Sequence, residues 1–265
     1  MLMSKSELST QERYKQILIL LNQSGQMLIE DLATRLDVSP STIRRDLTQM
    51  ELQGLLRRFH GGAKLVQPLL YEPFRHSINF SNQEGVHADE KLRIAQAAAE
   101  MIQPGETIAF SSGTTTTQIT RFLSHIKDIT IMTNTVNVAM ELSQRQDIKV
   151  FVTGGYISDG WFSLVGETAI HAIQSLYVDK VFIGLNGIDA VNGLTSHYVE
   201  EAAIVRTMIQ QARMKIVVAD HSKIGVTTHS RICGIDTVDI LITGIETPAE
   251  QTSAFEQAGI QVMHV

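Results

Sequence analysis

The sequence has little cysteine, little proline and no long apolar run. A single cysteine, Cys233, excludes an internal disulfide and a cysteine-based zinc cluster in this chain of 265 residues. The longest strictly apolar run, Ile17 to Leu21, falls far short of the roughly 18 to 20 residues that cross a bilayer. No membrane partner is therefore expected. With 43% hydrophobic residues and only 5 prolines, the composition is typical of a packed globular protein.

The first residues also lack the apolar core of a secretory signal, so a cytoplasmic location is expected. The length predicts a small domain and a larger one. Net charge is −6 but uneven: residues 1–65 hold 9 Lys and Arg against 7 Asp and Glu, whereas residues 66–265 hold 13 against 21. This pattern indicates an N-terminal part that tolerates a polyanion beside an acidic body that avoids one, although the small excess alone is also compatible with chance.

Three helices are predicted within residues 1–65. Apolar residues recur at helical spacing over 12–23 and again over 29–36, and a Ser-Gly pair stops the first stretch. Ser39 and Pro40 then have the pattern of an N-cap and a first helical position. A turn of about three residues separates the second and third helices, which is the spacing of a helix-turn-helix.

The third helix has a polar outer face. Ile43, Leu47 and Met50 share one side and are expected to face the core. The residues on the other side and its flanks are Ser41, Thr42, Arg44, Arg45, Thr48 and Gln49. Arginine binds guanine edges, and hydroxyls and amides reach phosphates and adenine, so this face suits the major groove of DNA. Asp46, on a flank, is expected to form a salt bridge with a neighbouring basic residue.

Residues 54–65 predict a short β-ribbon after the third helix, which would complete a winged helix-turn-helix. Arg57, Arg58 and Lys64 are available for backbone phosphates. The alternative is a generic three-helix bundle with a solvated polar face.

A family resemblance is carried by two motifs in this region. The run from Ser39 to Leu47, SPSTIRRDL, followed by RFHGGA from Arg58 to Ala63, resembles the N-terminal signature of the DeoR family of bacterial transcription regulators, which are mostly repressors of sugar catabolic operons. The resemblance implies that Ser41, Thr42, Arg44 and Arg45 approach double-stranded operator DNA. The candidate DNA-binding residues are Ser39, Ser41, Thr42, Arg44, Arg45, Thr48, Gln49, Arg57, Arg58, His60 and Lys64.

Residues 66–88 predict a linker, and residues 89–265 an α/β domain. Helical and strand-like segments alternate there, with strands expected at 107–110, 129–133, 149–153, 181–184, 215–219 and 239–243. Such alternation predicts a largely parallel sheet that binds ligands at the carboxyl ends of its strands.

Polar residues follow several of these strands. The loop from Ser112 to Thr116 combines a glycine with hydroxyls at a strand-to-helix turn, which suits a phosphate, although an ordinary capped helix has the same pattern. The loop has no lysine and no Walker pattern, which argues against a nucleoside triphosphate. The residues after the other strands include Asn134, Gly154, Gly155, Asn186, Asp189 and Lys223. Together they predict a site for a phosphorylated polyhydroxy ligand.

These motifs also resemble the DeoR sensor domain and, through it, the ribose-5-phosphate isomerase and CoA-transferase fold. The resemblance covers nearly the whole chain and assigns phosphate binding to the Ser112 loop. It adds Arg75 and Glu201 to the candidates. The candidate effector-binding residues are Arg75, Ser112, Gly113, Thr114, Thr115, Thr116, Asn134, Gly154, Gly155, Asn186, Asp189, Glu201 and Lys223. No cofactor is expected.

The isomerase relatives make an enzyme the alternative function: a sugar-phosphate isomerase with a fused DNA-binding domain. Those enzymes carry an Asp-Gly-Ala-Asp motif, but this chain has Asn186 at the first acid and no lysine between Gly193 and Glu201. An amide is no general base, and an enediolate would lack a stabilising cation. We therefore expect no catalytic residues.

Three further residues invite a chemical interpretation. Glu167 is placed like the CoA-transferase nucleophile, but a glutamate at a helix start is typical of a capping residue. His197 and His221 lie near strand ends without a third ligand at a recognisable spacing, so no metal site is predicted.

The sequence thus predicts a transcription regulator, most simply a repressor of a carbohydrate operon that a phosphorylated sugar releases. One winged domain has a small footprint, so a homo-oligomer, dimer or tetramer, is expected. Tyr156, Trp161 and Phe162 suit either a sugar face or a protein interface.

Overall fold

The computed structural model describes residues 10–52, 56–65, 85–143, 145–158 and 162–265. The chain divides into two compact units, residues 1–69 and 70–265. The division falls inside the segment predicted as a linker. Among the described helices, none combines the length and the apolar character that a membrane span requires.

The N-terminal unit contains three helices and three short strands. They are α1 (Thr10–Ser24), β1 (Gln26–Leu28), α2 (Ile29–Leu36), α3 (Pro40–Leu52), β2 (Leu56–Phe59) and β3 (Gly62–Leu65). The three predicted helices and the ribbon are confirmed. Asp37, with φ of +54°, ends α2 in the left-handed conformation, and its N–H bonds to the last turn.

The predicted inner face of α3 is the core of this unit. Ile43, Leu47 and Met50 are fully buried and pack with Ile17 and Leu21 of α1. The periodicity of apolar residues therefore identified the face of α3 that is turned away from solvent.

The ribbon is one strand larger than predicted. β1 pairs antiparallel with β3, which lies between β1 and β2. Met27 of β1 is buried in the core, whereas its two neighbours are exposed. Three residues between two helices are too short for an alternating pattern to be recognised.

The C-terminal unit is an α/β domain. Its helices are α4 (Ala88–Glu100), α5 (Thr114–Ile119), α6 (Val136–Leu142), α7 (Glu167–Gln174), α8 (Val199–Gln211) and α9 (Ala249–Gln257). Its strands are β4 (Thr107–Phe110), β5 (Ile129–Thr133), β6 (Ile148–Val152), β7 (Tyr156–Ile157), β8 (Leu164–Val165), β9 (Val178–Ile183), β10 (Gly187–Asp189), β11 (Gly193–Ser196), β12 (Ala212–Val218), β13 (Ser230–Cys233), β14 (Ile240–Thr243) and β15 (Gln261–His264). Short 3-10 turns occupy Thr120–His125, His221–Lys223 and Ile235–Thr237.

Seven parallel strands form the main sheet, in the order β15-β14-β12-β9-β4-β5-β6. This confirms the predicted α/β fold with a mainly parallel sheet, and each predicted strand overlaps an observed one. Alternate residues face opposite layers: Ile216 and Val218 pack with α4 and α5, whereas Val217 packs with α7 and α8. Helices on both faces bury the sheet, as parallel sheets require.

The antiparallel parts of this unit were not predicted. β10, β11 and β13 form a small sheet, and β7 pairs with β8 as a hairpin. The small sheet is held against α8 by Arg206, whose guanidinium donates to the carbonyls of Arg231 and Ile232. β15 was also missed, because only four residues separate its start from the end of the chain.

Candidate functional site

The start of α3 is organised by hydroxyl groups. The Thr42 N–H donates to Ser39 Oγ at 3.2 Å, so Ser39 caps the helix as predicted. Ser39 Oγ also lies 2.7 Å from Ser41 Oγ and 2.8 Å from Thr42 Oγ1. Three hydroxyls and the helix N-terminus are thus grouped at one exposed end, where backbone and side-chain donors suit a phosphate oxygen.

Asp46, one of the two acids of α3, is turned away from the outer face. Asp46 is 3% exposed and accepts two hydrogen bonds from the guanidinium of Arg13 in α1, one of them at 3.0 Å. The hydrogen bond to this carboxylate raises the pKa of Arg13. The predicted salt bridge is present, but its partner comes from another helix and the pair is buried. Asp46 therefore adds no negative charge to the outer face, and the other acid of α3, Glu51, is half-exposed and paired with Arg58.

Two of the predicted DNA-binding arginines have partners within the unit. Arg58 of β2 donates through Nε to Glu51 Oε2 at 2.7 Å and through Nη1 to Thr48 Oγ1 at 2.8 Å. The backbone and side-chain hydrogen bonds from Arg58 lower the pKa of Glu51. Arg44 lies 3.7 Å from Glu30 in an exposed ion pair, a kind worth little in water. Arg58 thus ties the ribbon to α3.

The remaining candidates in this unit are open to solvent. The exposed side chains are Arg45, Gln49, Arg57, His60 and Lys64. Arg45 and Lys64 form no ion pair with any residue that the structure describes. The N-terminal unit therefore presents exposed donors on both α3 and the ribbon.

A cavity of about 130 Å³ opens at the carboxyl ends of β4, β9 and β12, which are adjacent in the sheet. Its lining includes seven of the predicted effector-binding residues: Ser112, Gly113, Thr114, Thr115, Asn186, Glu201 and Lys223. This is the position at which an open parallel sheet binds ligands.

The ends of β4 and β9 are joined closely. The Gly184 N–H donates to Ser111 Oγ at 2.9 Å. A Cβ at Gly184 would lie 2.7 Å from the carbonyl oxygen of Ser112, so only glycine permits this approach. The contact places the Ser112 loop beside Asn186, whose Oδ1 accepts from Ser196 Oγ at 3.2 Å and from the His197 N–H at 3.1 Å.

The threonines of this loop differ in whether they line the cavity. Thr116 Oγ1 and Thr117 Oγ1 both donate to the carbonyl of Gly113, at 2.9 and 2.8 Å. Thr116 is fully buried and does not line the cavity. The cavity wall is formed instead by Ser112, Gly113, Thr114 and Thr115, so the first four residues of the loop can meet a ligand.

Two acids and two lysines line the cavity. Glu201 of α8 accepts from Ser163 Oγ at 2.8 Å, and burial raises the pKa of this carboxyl. Lys91 of α4 is 2% exposed, and its Nζ lies 3.8 Å from Asp220 Oδ2. Lys223 follows one turn after Asp220. Lys223 forms no ion pair with a residue that the structure describes, so it is the lysine available to an anionic ligand.

The cavity lining also includes Lys91, Asp220, Ser196 and His197, which were not among the candidate effector-binding residues, although the resemblance to the sensor domain extends to Lys91 and Asp220. A signal for Lys91 exists in the sequence. It stands three and four residues before Ile94 and Ala95, on the apolar face of its helix. A lysine at a core-facing position is rare unless it is paired.

Other predicted residues lie outside the cavity lining. Asn134 is buried and donates to the carbonyl of Leu164 at 3.2 Å. Asp189 Oδ1 accepts from the N–H groups of Val191 and Asn192 and so holds a turn. Arg75 falls outside the described residues.

Gly154 and Gly155 are also remote from the cavity, for a topological reason. They follow β6, the last strand of the sheet, with two strands between it and β9. Gly155 has φ of +113°, and a Cβ there would lie 2.4 Å from the carbonyl oxygen of Val165. Its role in the structure is to admit the β7–β8 hairpin.

The remaining residues singled out in the sequence are dispersed. Glu167 is exposed in the first turn of α7, 3.8 Å from His171. His197 lies near His229, with ring centroids 6.0 Å apart. His221 instead meets His87, with ring centroids 4.4 Å apart, and Asp220. Tyr156 is 78% exposed, and Trp161 is outside the described residues.

Known proteins resemble both units. Residues 13–68 match the model of the DeoR-like helix-turn-helix domain, and residues 86–244 match the DeoR C-terminal sensor domain. The HTH-type transcriptional repressor GlcR of Bacillus subtilis (strain 168) is 34% identical over 233 residues, covering 88% of this chain and 88% of that protein. The glycerol-3-phosphate regulon repressor of Escherichia coli (strain K12) is 30% identical over 251 residues, covering 95% and 97%.

Among solved structures, ribose 5-phosphate isomerase A of Methanocaldococcus jannaschii matches 52% of this chain and 54% of its own, with 17% identity and a TM-score of 0.39. The two family models together span both described units. The chain therefore belongs to the DeoR family of DNA-binding transcription regulators, with a helix-turn-helix domain followed by a C-terminal sensor domain.

Proposed function

We propose that this regulator represses a carbohydrate catabolic operon and leaves its operator when a phosphorylated sugar occupies the cavity of the C-terminal unit. The observation that carries the proposal is the grouping of the Ser112 loop, Asn186 and Lys223, which follow three adjacent strands, with Lys91 of α4 at one cavity. Relatives named as repressors of sugar-related genes support it, since they match nearly the full length of the chain.

The N-terminal unit supplies the DNA contacts in this proposal. Arg45 and Gln49 read base edges in the major groove, and the hydroxyls at the start of α3 bind a phosphate. Arg57 and Lys64 on the ribbon bind the phosphates of the backbone. Arg58 is held by Glu51 and Thr48, so it serves to orient the ribbon as well as to contact DNA.

The cavity residues have complementary parts in binding a sugar phosphate. The backbone and hydroxyls of Ser112 to Thr115 bind the phosphate, assisted by Lys223. Glu201 and Asn186 bind sugar hydroxyls. The oxygens of Glu201 accept hydrogen bonds from such hydroxyls, as they do from Ser163 Oγ.

We further propose that the chain has no catalytic activity. Asn186 stands where the isomerase motif has an acid, and its amide oxygen accepts from Ser196 and His197. Lys91, the buried lysine of the cavity, is paired with Asp220. Turnover of pentose phosphates by the full chain that disappears in Glu201→Gln would contradict this.

A homo-oligomer, dimer or tetramer, follows from the same proposal. A single winged domain covers a half-site only, so operator specificity requires at least two copies on repeated or palindromic DNA. Such a regulator acts in the cytoplasm, where its operator lies.

Calorimetric titration of the full chain with sugar phosphates and with the same sugars lacking phosphate tests the effector directly. We expect at least one phosphorylated sugar to bind and its unphosphorylated form not to bind detectably. Lys223→Ala should weaken the binding, whereas Lys149→Ala, an exposed lysine on edge strand β6, should leave it unchanged. Equal binding of a sugar with and without phosphate would overturn the assignment of the Ser112 loop.

A further inference from the structure

Three metal-ligating side chains meet beside the cavity. His87 immediately precedes α4, and Asp220 and His221 follow β12. One ligand atom from each lies within 4.8 Å of those from the other two. We propose that His87, Asp220 and His221 bind a divalent transition-metal ion.

A buried carboxylate orients one of these imidazoles. Glu90, which is 3% exposed, places Oε2 at 2.7 Å from His221 Nδ1, and its Oε1 accepts the backbone N–H of His221 at 2.7 Å. With Nδ1 bonded to a carboxylate, Nε2 is left as the ligand atom. A carboxylate behind a histidine is the usual outer partner of metal-binding imidazoles, because it fixes the tautomer and the ring direction.

The second imidazole has no comparable partner. The His87 ring lies edge-on to that of His221, with centroids 4.4 Å apart, and forms no hydrogen bond with any described residue. The two adjacent rings therefore make no polar interaction with each other. An ion bound by a nitrogen of each ring would supply that interaction.

Asp220 completes the donor set. It is 2% exposed, its Oδ1 accepts from the Ser222 N–H and Oγ, and its Oδ2 lies 3.8 Å from Lys91 Nζ. The carboxylate is therefore fixed in place before any ion arrives. The Lys91 ammonium also interacts with this carboxylate, so the carboxylate alone binds a cation less strongly. This favours an ion that forms strong bonds to nitrogen as well as to oxygen.

The chemistry of the ligands selects the class of metal. Two imidazoles and one carboxylate suit Zn²⁺ and its neighbours Co²⁺ and Ni²⁺ better than Mg²⁺ or Ca²⁺, which prefer oxygen. Three protein ligands leave at least one coordination position open. Asp220 also lines the cavity, so an ion here would add positive charge at the rim that Lys223 occupies.

Zinc titration of the full chain tests this site. The protein, without a histidine tag and stripped with a chelator, is titrated with Zn²⁺ in competition with a chromogenic zinc indicator and in the absence of sugar phosphates and DNA. We expect His87→Asn and His221→Asn each to weaken Zn²⁺ binding at least tenfold. Glu90→Gln should weaken it by about 10- to 100-fold, as loss of an outer partner does.

His87→Asn is the decisive variant, because His87 is exposed and has φ of +54°, a conformation that asparagine tolerates. Far-UV circular dichroism and thermal unfolding of the metal-free variants confirm that they fold. His125→Asn, an exposed histidine elsewhere in the same unit, is the control and should bind as the original chain does. No zinc binding by the original chain, or equal affinity in His87→Asn and the control, would overturn the proposal. Because no effector is present, this result is independent of the sugar-phosphate proposal.

Discussion

Two arginines that look alike in the sequence differ in the structure. Arg58 is bound to Glu51 and Thr48 within the N-terminal unit, whereas Arg45, on the outer face of α3, forms no ion pair with a described residue. A guanidinium without an internal partner loses no protein contact when it binds a guanine edge. We therefore propose that Arg45 reads base edges and that Arg58 positions the ribbon.

Arg45→Ala should cost about 1 to 3 kcal/mol at the base pair that Arg45 contacts and should relax the preference at that position. Fluorescence anisotropy on the operator and on single-base variants, at one salt concentration, measures this. Arg57→Ala is the matched comparison, since loss of a phosphate contact weakens binding to all sequences alike and lowers the salt slope by about 1. A uniform loss in Arg45→Ala would remove Arg45 from the reading set.

Glu201 predicts a pH dependence of stability. Burial raises its pKa above the ordinary value of 4.5. At a pH between the ordinary pKa and the raised pKa, the folded chain therefore binds more protons than the unfolded chain. The free energy of unfolding falls as the pH rises through that window. Glutamine does not titrate, so the Glu201→Gln variant does not lose stability in this way. The difference in free energy of unfolding between the variant and the original chain should grow in favour of the variant as the pH rises above the ordinary pKa, and should become constant above the raised pKa.

Denaturant unfolding of both proteins across this pH range provides the measurement. Glu250→Gln, an exposed site on α9, is the control. A stability difference between Glu201→Gln and the original chain that stays constant with pH would show that Glu201 is not desolvated.

At this scale the sequence predicted residue types better than directions. The polar outer face of α3 was predicted from helical periodicity. The first four residues of the Ser112 loop were predicted from their position after a strand. The inward turn of Thr116 depends on the Gly113 carbonyl, and the partner of Asp46 comes from α1; neither is visible in local sequence. Cavity residues such as Lys91 come from elements distant in sequence, so only the folded sheet brings them together.

At the scale of elements, the ribbon depends on close packing of three strands. A Cβ at Gly62 would lie 2.4 Å from Phe59 Cζ and 2.5 Å from the backbone oxygen of Met27. The second contact is with β1, so the strands themselves would have to separate. By contrast, Gly61 has φ of +84° and open space around it, so its constraint is conformational only.

Gly62→Ala should therefore destabilise the ribbon by roughly 1 to 3 kcal/mol, the usual cost of overpacking. Hydrogen exchange of the amides of β1 and β3 in the full chain reports this locally. Gly61→Asn is the control and should change exchange little, since asparagine tolerates positive φ. Equal protection in Gly62→Ala and the original chain would contradict the described packing of β1 on β3.

Long periodic elements were predictable, and short ones were not. The three helices of the N-terminal unit and the strands β4, β5, β6, β9, β12 and β14 were predicted because each contains enough apolar residues to be recognised. β1, β7 and β8 have two or three residues each, so their pairing is decided by the surrounding fold. Strand order was likewise beyond sequence reasoning, which is why residues after β5 and β6 were expected in the cavity.

At the scale of the whole molecule, the proposed function requires communication between two units. The candidate DNA contacts lie in residues 13–68 and the cavity in residues 86–244. An effector can release DNA only if it binds the DNA-free arrangement more tightly than the DNA-bound one. Linkage then requires that operator DNA weaken effector binding by the same factor.

The most direct test is fluorescence anisotropy of the full chain on DNA from upstream of its own gene and its neighbours, titrated with a panel of sugar phosphates at a stated salt concentration. We predict specific binding that one phosphorylated sugar releases, with Lys223→Ala requiring a higher concentration of it. Specific binding that no phosphorylated sugar alters, or no specific binding at all, would contradict the account.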